Sequence, residues 1–202
     1  MRIVAGSQRG RRIVAPPGRA VRPTADRVRE ALFNLLAHND WGPGSAPLPR
    51  GATVVDAFAG SGALGLEALS RGAAQASFLE NDDAVLEVLR RNVAACGVAD
   101  AALILRCDAT RPGRARAPCS LAFLDPPYRS GLAAPTLESM ARGGWFADGA
   151  IIVVELPAKE IFEPPTGFAP LDERRYGTTR IVFLRWMGAG TDTFRVSTLN
   201  LD

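Results

Sequence analysis

Histidine and lysine are almost missing from this chain: His38 and Lys159 are the only ones in 202 residues. His38 falls just past an amphipathic stretch, where a surface or helix-end role is expected. A histidine-based triad or zinc site is therefore not expected, and no metal is assigned. Cysteine is also scarce. Cys96, Cys107 and Cys119 are odd in number and show no Cys-x-x-Cys spacing, a pattern of reduced, buried thiols in a cytoplasmic protein rather than a disulfide framework. No apolar run approaches the length of a membrane span, and no apolar core follows the basic residues of the N-terminal region, so neither a spanning helix nor a secretory signal is expected. What remains is ordinary for a folded chain: 47% hydrophobic and 22% charged residues, enough for one well-buried domain with a small appendage.

Positive charge is unevenly spread. Residues 1–30 hold eight arginines (Arg2, Arg9, Arg11, Arg12, Arg19, Arg22, Arg27 and Arg29) against Asp26 and Glu30. That segment carries +6 of a net +3, leaving a mildly acidic body. A polyanion partner gripped by the N-terminal part follows, with Arg9, Arg11, Arg12, Arg22, Arg27 and Arg29 as the candidate phosphate contacts.

The order of elements points to one α/β domain behind a short extension. Ile3-Val4-Ala5 and Arg12-Ile13-Val14 flank a glycine-bounded turn and read as a hairpin. After a proline-rich connector, Thr24 is the expected N-cap of a helix over 25–37. A loop over 40–50 leads to strand candidates at 53–57, 76–80, 102–106, 120–124 and 150–155, alternating with helices at 63–71, 83–95 and 132–142. Two further strands, 168–176 and 180–187, close an antiparallel hairpin around Gly177-Thr178-Thr179. This is the pattern of a mostly parallel seven-stranded sheet with helices on both faces. The expected division is an N-terminal hairpin and helix (1–40), a catalytic domain (51–187) and a polar tail (188–202).

Two strand ends carry the chemistry. The first runs Asp56-Ala57-Phe58-Ala59-Gly60-Ser61-Gly62, a strand–loop–helix joint whose glycines permit tight turning and close approach of a ligand. It is neither the GxGxxG of nicotinamide enzymes nor a P-loop. Glu80 ends the next strand twenty residues after Gly60, an offset at which a carboxylate can accept from ribose hydroxyls. Asp108 follows the third strand, where it could meet an adenine amino group, and Asn81 and Ala109 accompany these two acids in the same site. Three acidic strand ends disfavour a polyphosphate and favour a cationic nucleoside such as S-adenosyl-L-methionine.

The second is Asp125-Pro126-Pro127-Tyr128. Its prolines stiffen the loop and remove backbone donors, so it presents carbonyl oxygens. The Asp125 carboxylate and the Pro126 carbonyl can each accept from an exocyclic amine, aiming the nitrogen lone pair at a methyl donor, while Tyr128 stacks on the base. The reaction expected is displacement of the methyl group by that nitrogen, leaving S-adenosyl-L-homocysteine.

These paired motifs resemble the class I S-adenosylmethionine-dependent amino-methyltransferases, which have a Rossmann-like fold. Across residues 2–187 the chain is similar to the RsmD-type family, through Arg2-Ile3-Val4-Ala5-Gly6, Arg22-Pro23-Thr24, Asp26-Arg27-Val28-Arg29-Glu30, Leu32-Phe33-Asn34, Phe58 to Gly72 and Asp125 to Tyr128. The resemblance implies methylation of guanine N2 in 16S ribosomal RNA, on a partly assembled small ribosomal subunit. It also implies a cofactor site at Asp56–Gly62, Glu80 and Asp108, and a base site at Asp125–Tyr128. Nothing in the sequence demands more than a monomer. The 40–50 loop, the basic Arg111–Pro118 stretch and the tail from Ala189 depart from the family pattern. An adenine-N6 DNA methyltransferase shares the second motif but usually carries an inserted DNA-reading segment. A protein-glutamine methyltransferase leaves the basic extension unexplained, and an idle RNA-binding or assembly protein leaves Asp125 unexplained.

Overall fold

The alternating apolar runs and amphipathic stretches fold, in the computed structural model, as seven strands and four α-helices, described over residues 1–16, 23–41, 47–128 and 130–188. In chain order these are α1 (Pro23–His38), β1 (Thr53–Ala57), α2 (Ala63–Ser70), β2 (Gln75–Glu80), α3 (Asp83–Cys96), β3 (Ala102–Arg106), β4 (Cys119–Leu124), α4 (Ala133–Arg142), β5 (Phe146–Pro157), β6 (Phe168–Tyr176) and β7 (Thr179–Trp186). The strands form one sheet in the order β3-β2-β1-β4-β5-β7-β6. β7 runs antiparallel to both its neighbours, and the other pairings are parallel. The expected α/β, Rossmann-like fold with an antiparallel C-terminal hairpin is thus what forms. Chain order reverses between β1 and β4, and ligands of open α/β sheets bind at the carboxyl ends of the strands beside such a reversal.

Both faces of the sheet are covered, unequally. Val54, Phe78, Phe123, Val153 and Phe183 point to the face packed by α1, α2 and α3. Val55, Leu79, Ala122, Ile152 and Leu184 point to the other, where Leu137 and Met140 of α4 lie. Phe33 of α1 packs on Phe123 of β4 with ring centroids 5.5 Å apart. Burying each such ring contributes roughly 1.5–3 kcal/mol.

The extension shares this core rather than standing apart from it. Ile3, Ile13, Leu32, Phe33 and Leu36 are buried in the same cluster as the central strands. The expected hairpin is short, with a single antiparallel bridge between Arg2 and Arg12. The reason is that the Val4 and Ala5 amides donate to the Glu67 carboxylate of α2, at 2.8 and 3.0 Å, instead of to a partner strand. The cap assigned to Thr24 is corrected: α1 already begins at Pro23, a residue suited to the first helical position because it has no N–H to satisfy. Arg22, residues 42–46 of the 40–50 loop and the tail from 189 lie outside the described residues.

Two glycines, Gly62 closing the first loop and Gly65 in α2, are held to glycine by packing. A Cβ on Gly65 would lie 2.4 Å from the Phe78 ring of β2, and one on Gly62 would lie 2.5 Å from Leu89 of α3. Gly65→Ala is expected to destabilise the protein by about 1–3 kcal/mol through overpacking, read as a lower urea midpoint at unchanged m-value.

Candidate active site

The first loop leaves β1 through an unusual backbone. Phe58 has φ +62°, alone among the described non-glycine residues in being left-handed, and Gly60 and Gly62 follow at +56° and +79°. Such conformations persist where surrounding contacts over-determine them. Here the contacts are carboxylates. Asp56, 2% exposed, accepts from the Gly65 N–H at 2.8 Å, and Glu80 accepts from the Gly60 N–H at 3.0 Å. Asn92 of α3 donates to the Ser61 carbonyl at 2.9 Å and exchanges two hydrogen bonds with the backbone of Val14, so extension and loop are tied through one buried amide.

The second loop leaves β4 next to the first, with the Asp125 amide donating to the Ala57 carbonyl at 3.4 Å. Pro126 is buried, whereas Pro127 and Tyr128 are exposed. The Tyr128 hydroxyl lies 3.3 Å from Thr179 Oγ1, which ties the loop to the start of β7. Asp56, Phe58, Ala59, Ser61 and the whole Asp125–Tyr128 loop line one cavity of about 770 Å³. The two loops separated in sequence by some seventy residues therefore face one space, of a size that suits a nucleoside-sized ligand.

Other expected site residues are placed differently. Glu80, Asn81, Asp108 and Ala109 are not in the cavity lining. The Glu80 carboxylate turns to the backbone: Oε1 accepts from the Asn81 and Asp82 amides and Oε2 from Gly60. These bonds shape the loop without using up the acceptor capacity of the carboxylate. Asp108 is exposed, and its Oδ1 accepts from both the amide and the hydroxyl of Thr110. Arg29 is a correction. It is only 5% exposed and its guanidinium goes to Asp26 at 2.9 Å, to the Arg2 carbonyl at 2.5 Å and, through Nε, to within 3.6 Å of Glu67. A buried cation already committed to carboxylates is not a phosphate grip. Arg9, Arg11, Arg12 and Arg27 are exposed.

Sequence reasoning did not find the remaining walls of the cavity, which include Met1, Glu155 at the end of β5, and Tyr176 to Thr179 at the β6–β7 turn. The turn was legible as a turn, but no local pattern says what it faces. Glu67, fully buried, and Asn92 were missed for the same reason.

The cavity is lined by the carboxylates Asp56, Asp125 and Glu155 and also by Arg29. Burial pushes the Asp56 carboxyl up to about 8 from an ordinary 3.8; the Gly65 N–H opposes this, and the charges of Asp125 and Glu80 add to it. A carboxyl raised in the folded state stabilises the fold fully below its unfolded value, and that contribution is lost as pH rises through the folded one. Asp56→Asn keeps an acceptor for Gly65 and removes the titration. Stability of the wild type relative to this variant is expected to fall steadily between about pH 4 and pH 8, measured by urea denaturation across that range. A flat difference would refute the shift.

Comparison with known proteins agrees with this architecture. The family model described as Conserved hypothetical protein 95 matches residues 1–185. The ribosomal RNA small subunit methyltransferase D of Escherichia coli (strain K12) is 42% identical over 155 residues, covering 77% of this chain and 74% of the relative. The protein of the same name from Haemophilus influenzae is 34% identical over 189 residues, 92% of each chain. A solved structure of a putative methyltransferase from Escherichia coli superposes with a TM-score of 0.78 at 37% identity, covering 93% of this chain and 98% of the other. A putative methylase from Haemophilus influenzae gives 0.74 at 29% identity, with 92% and 98% covered. With its extension, glycine loop and Asp-Pro-Pro-Tyr loop all inside the matched span, the chain belongs to the RsmD-type ribosomal RNA methyltransferase family.

Proposed function

We propose that this protein transfers a methyl group from S-adenosyl-L-methionine to the exocyclic N2 of a guanine in 16S ribosomal RNA, acting as a cytoplasmic monomer on an assembling small subunit. The observation that carries the reading is the single cavity shared by Asp56, the Phe58–Ser61 loop and Asp125–Tyr128 at the point where strand order reverses.

The residues present fit the cofactor. Asp56 is a buried carboxyl held partly protonated by desolvation and by its acidic neighbours, an environment that a cation relieves and an anion worsens. When bound, S-adenosyl-L-methionine supplies an electrophilic methyl group on a sulfonium. Asp56 and the backbone of Phe58, Ala59 and Ser61 would hold it, while Glu80 keeps the loop in shape from behind. Asp125 and the Pro126 carbonyl orient the attacking amine, and Asp125 takes up its proton directly or passes it to water. The half-exposed Tyr128 ring offers a stacking surface for a base that has left its own stack, which is cheapest in an RNA loop. Exposed Arg9, Arg11, Arg12 and Arg27, with Arg22, supply phosphate contacts that hold the RNA without choosing the base.

The deciding experiment incubates the protein with labelled cofactor and naked 16S RNA, small subunits or DNA, then identifies the methylated nucleoside by mass spectrometry. N2-methylguanine from RNA or subunits is expected. N6-methyladenine would overturn the assignment, and absence of cofactor binding in calorimetry would leave an RNA-binding protein without catalysis.

A further inference from the structure

Glu155 has no place in the methyl-transfer chemistry described above, yet it lines the same cavity as Asp125 and Pro126. Its position follows from the sheet. Leu124 of β4 is in register with Val154 of β5, so the next residue along each strand puts Asp125 beside Glu155. Alternation along β5 places Glu155 on the side of Ile151 and Val153, the face on which the extension and α1 pack. Across β7 it is opposite Ile181, which also lines the cavity. The Tyr128–Thr179 contact holds the second loop against the strand that borders Glu155.

We infer that Glu155 is the base-specificity residue, accepting the N1–H of the target guanine while Asp125 and the Pro126 carbonyl accept the two hydrogens of its N2 amine. This rests on the guanine-N2 reading and adds to it the group that selects the base. The match is one of donor count. The guanine edge presents three N–H donors on the two nitrogens bonded to C2 along that edge, N1–H and the two of N2, and an ionised carboxylate accepts and cannot donate. Adenine presents two amine hydrogens next to an N1 that is itself an acceptor. Opposed to Glu155, that nitrogen would leave two acceptors facing each other with no proton between them. Sites built to hydrogen-bond one group reject an analogue lacking it strongly, because the site's own polar group is then left unpaired.

The probe is 2-aminopurine, which keeps the N2 amine, replaces N1–H by an acceptor and lacks O6; comparison of wild type with Glu155→Gln separates the N1 contact from the loss of O6. The guanine methylated by the wild-type protein is first located by mass spectrometry. Small subunits are then reconstituted with guanine or 2-aminopurine at that position, and wild type is compared with Glu155→Gln. For the wild type, kcat/KM is expected to favour guanine by at least about 100-fold, in keeping with hydrogen-bond-based discrimination. Glu155→Gln, whose amide can donate to the 2-aminopurine N1, should lower that ratio at least tenfold, with its Kd for S-adenosyl-L-methionine within twofold of wild type. A wild-type protein that methylates 2-aminopurine as fast as guanine overturns the proposal even if the variant does not fold. So does a variant ratio that drops less than tenfold, or a loss of cofactor affinity in the variant. Failure of the underlying reading shows separately, as a wild-type product other than N2-methylguanine.

Discussion

Asp125→Ala is expected to lower turnover on small subunits by on the order of 100- to 1000-fold, with the Kd for S-adenosyl-L-methionine nearly unchanged; that is the size of effect seen when one preorganised electrostatic partner of a transition state is removed. The asymmetry between the two measurements is the point. Asp125 stands at the end of β4, where its amide bonds to the Ala57 carbonyl, and this backbone contact survives truncation of the side chain. The cofactor loop therefore keeps its shape, including the Gly65 bond to Asp56 and the Gly60 bond to Glu80. On the proposed mechanism, what disappears is the acceptor that orients the amine and offsets the positive charge developing on nitrogen as it gives up its lone pair. Single-turnover kinetics with saturating cofactor would read the loss in the chemical step. Methyl transfer within a few fold of wild type would remove Asp125 from the reaction.

Glu67→Ala is expected to destabilise the fold by about 3–5 kcal/mol, the range for removing one partner of a buried ion pair. The side chain is completely buried and its two oxygens accept from the Val4 and Ala5 amides and from Arg71 Nε at 2.7 Å, with Arg29 Nε 3.6 Å away. Truncation leaves the mostly buried Arg71 Nε and two backbone donors without their acceptor and removes a compensating charge from beside buried Arg29, which keeps Asp26. The consequence is local as well as global. Hydrogen exchange at Val4 and Ala5 should accelerate far more than at Leu121 or Phe123, because the extension is held to α2 mainly by this carboxylate and by the Ser70 contacts to Ala5, Ser7 and Gln8. Since the extension also reaches the Ser61 loop through Asn92, cofactor affinity should weaken in the same variant. A stability change below about 1 kcal/mol with unchanged exchange would show that the carboxylate is dispensable, since lesser losses are typical of surface positions.

The apolar runs and their spacing were sufficient for the strands, because a five- or six-residue run bounded by glycine, proline or acid is a local property. β1, β3 and β6 have the expected limits, and the other strands differ mainly at their ends. β5 is the exception, longer than expected by four residues before Ala150 and two after Glu155, since its pairings with β4 and β7 carry the strand beyond its own apolar stretch. Both chemical loops were equally legible, as their glycines and prolines act on the chain directly around them. Charge was read less well. Arg29 counts as one of eight N-terminal arginines in composition, but composition carries no information about which of them the fold turns inward onto Glu67.

Local chemistry in the chain settled that a glycine-rich loop and a stiff Asp-Pro-Pro-Tyr loop would each follow a strand, and that the extension would be basic. Tertiary structure alone decided which groups share the cavity. Glu80, expected at the ligand, also accepts three backbone amides, while Glu155, unremarked in sequence, and Thr179, legible only as part of a turn, line the cavity with Asp125 and Tyr128. The physical reason is the strand order. β5 and β7 are placed beside β4 by hydrogen-bonded pairings that span tens of residues, and the period of a single strand holds no record of its neighbour.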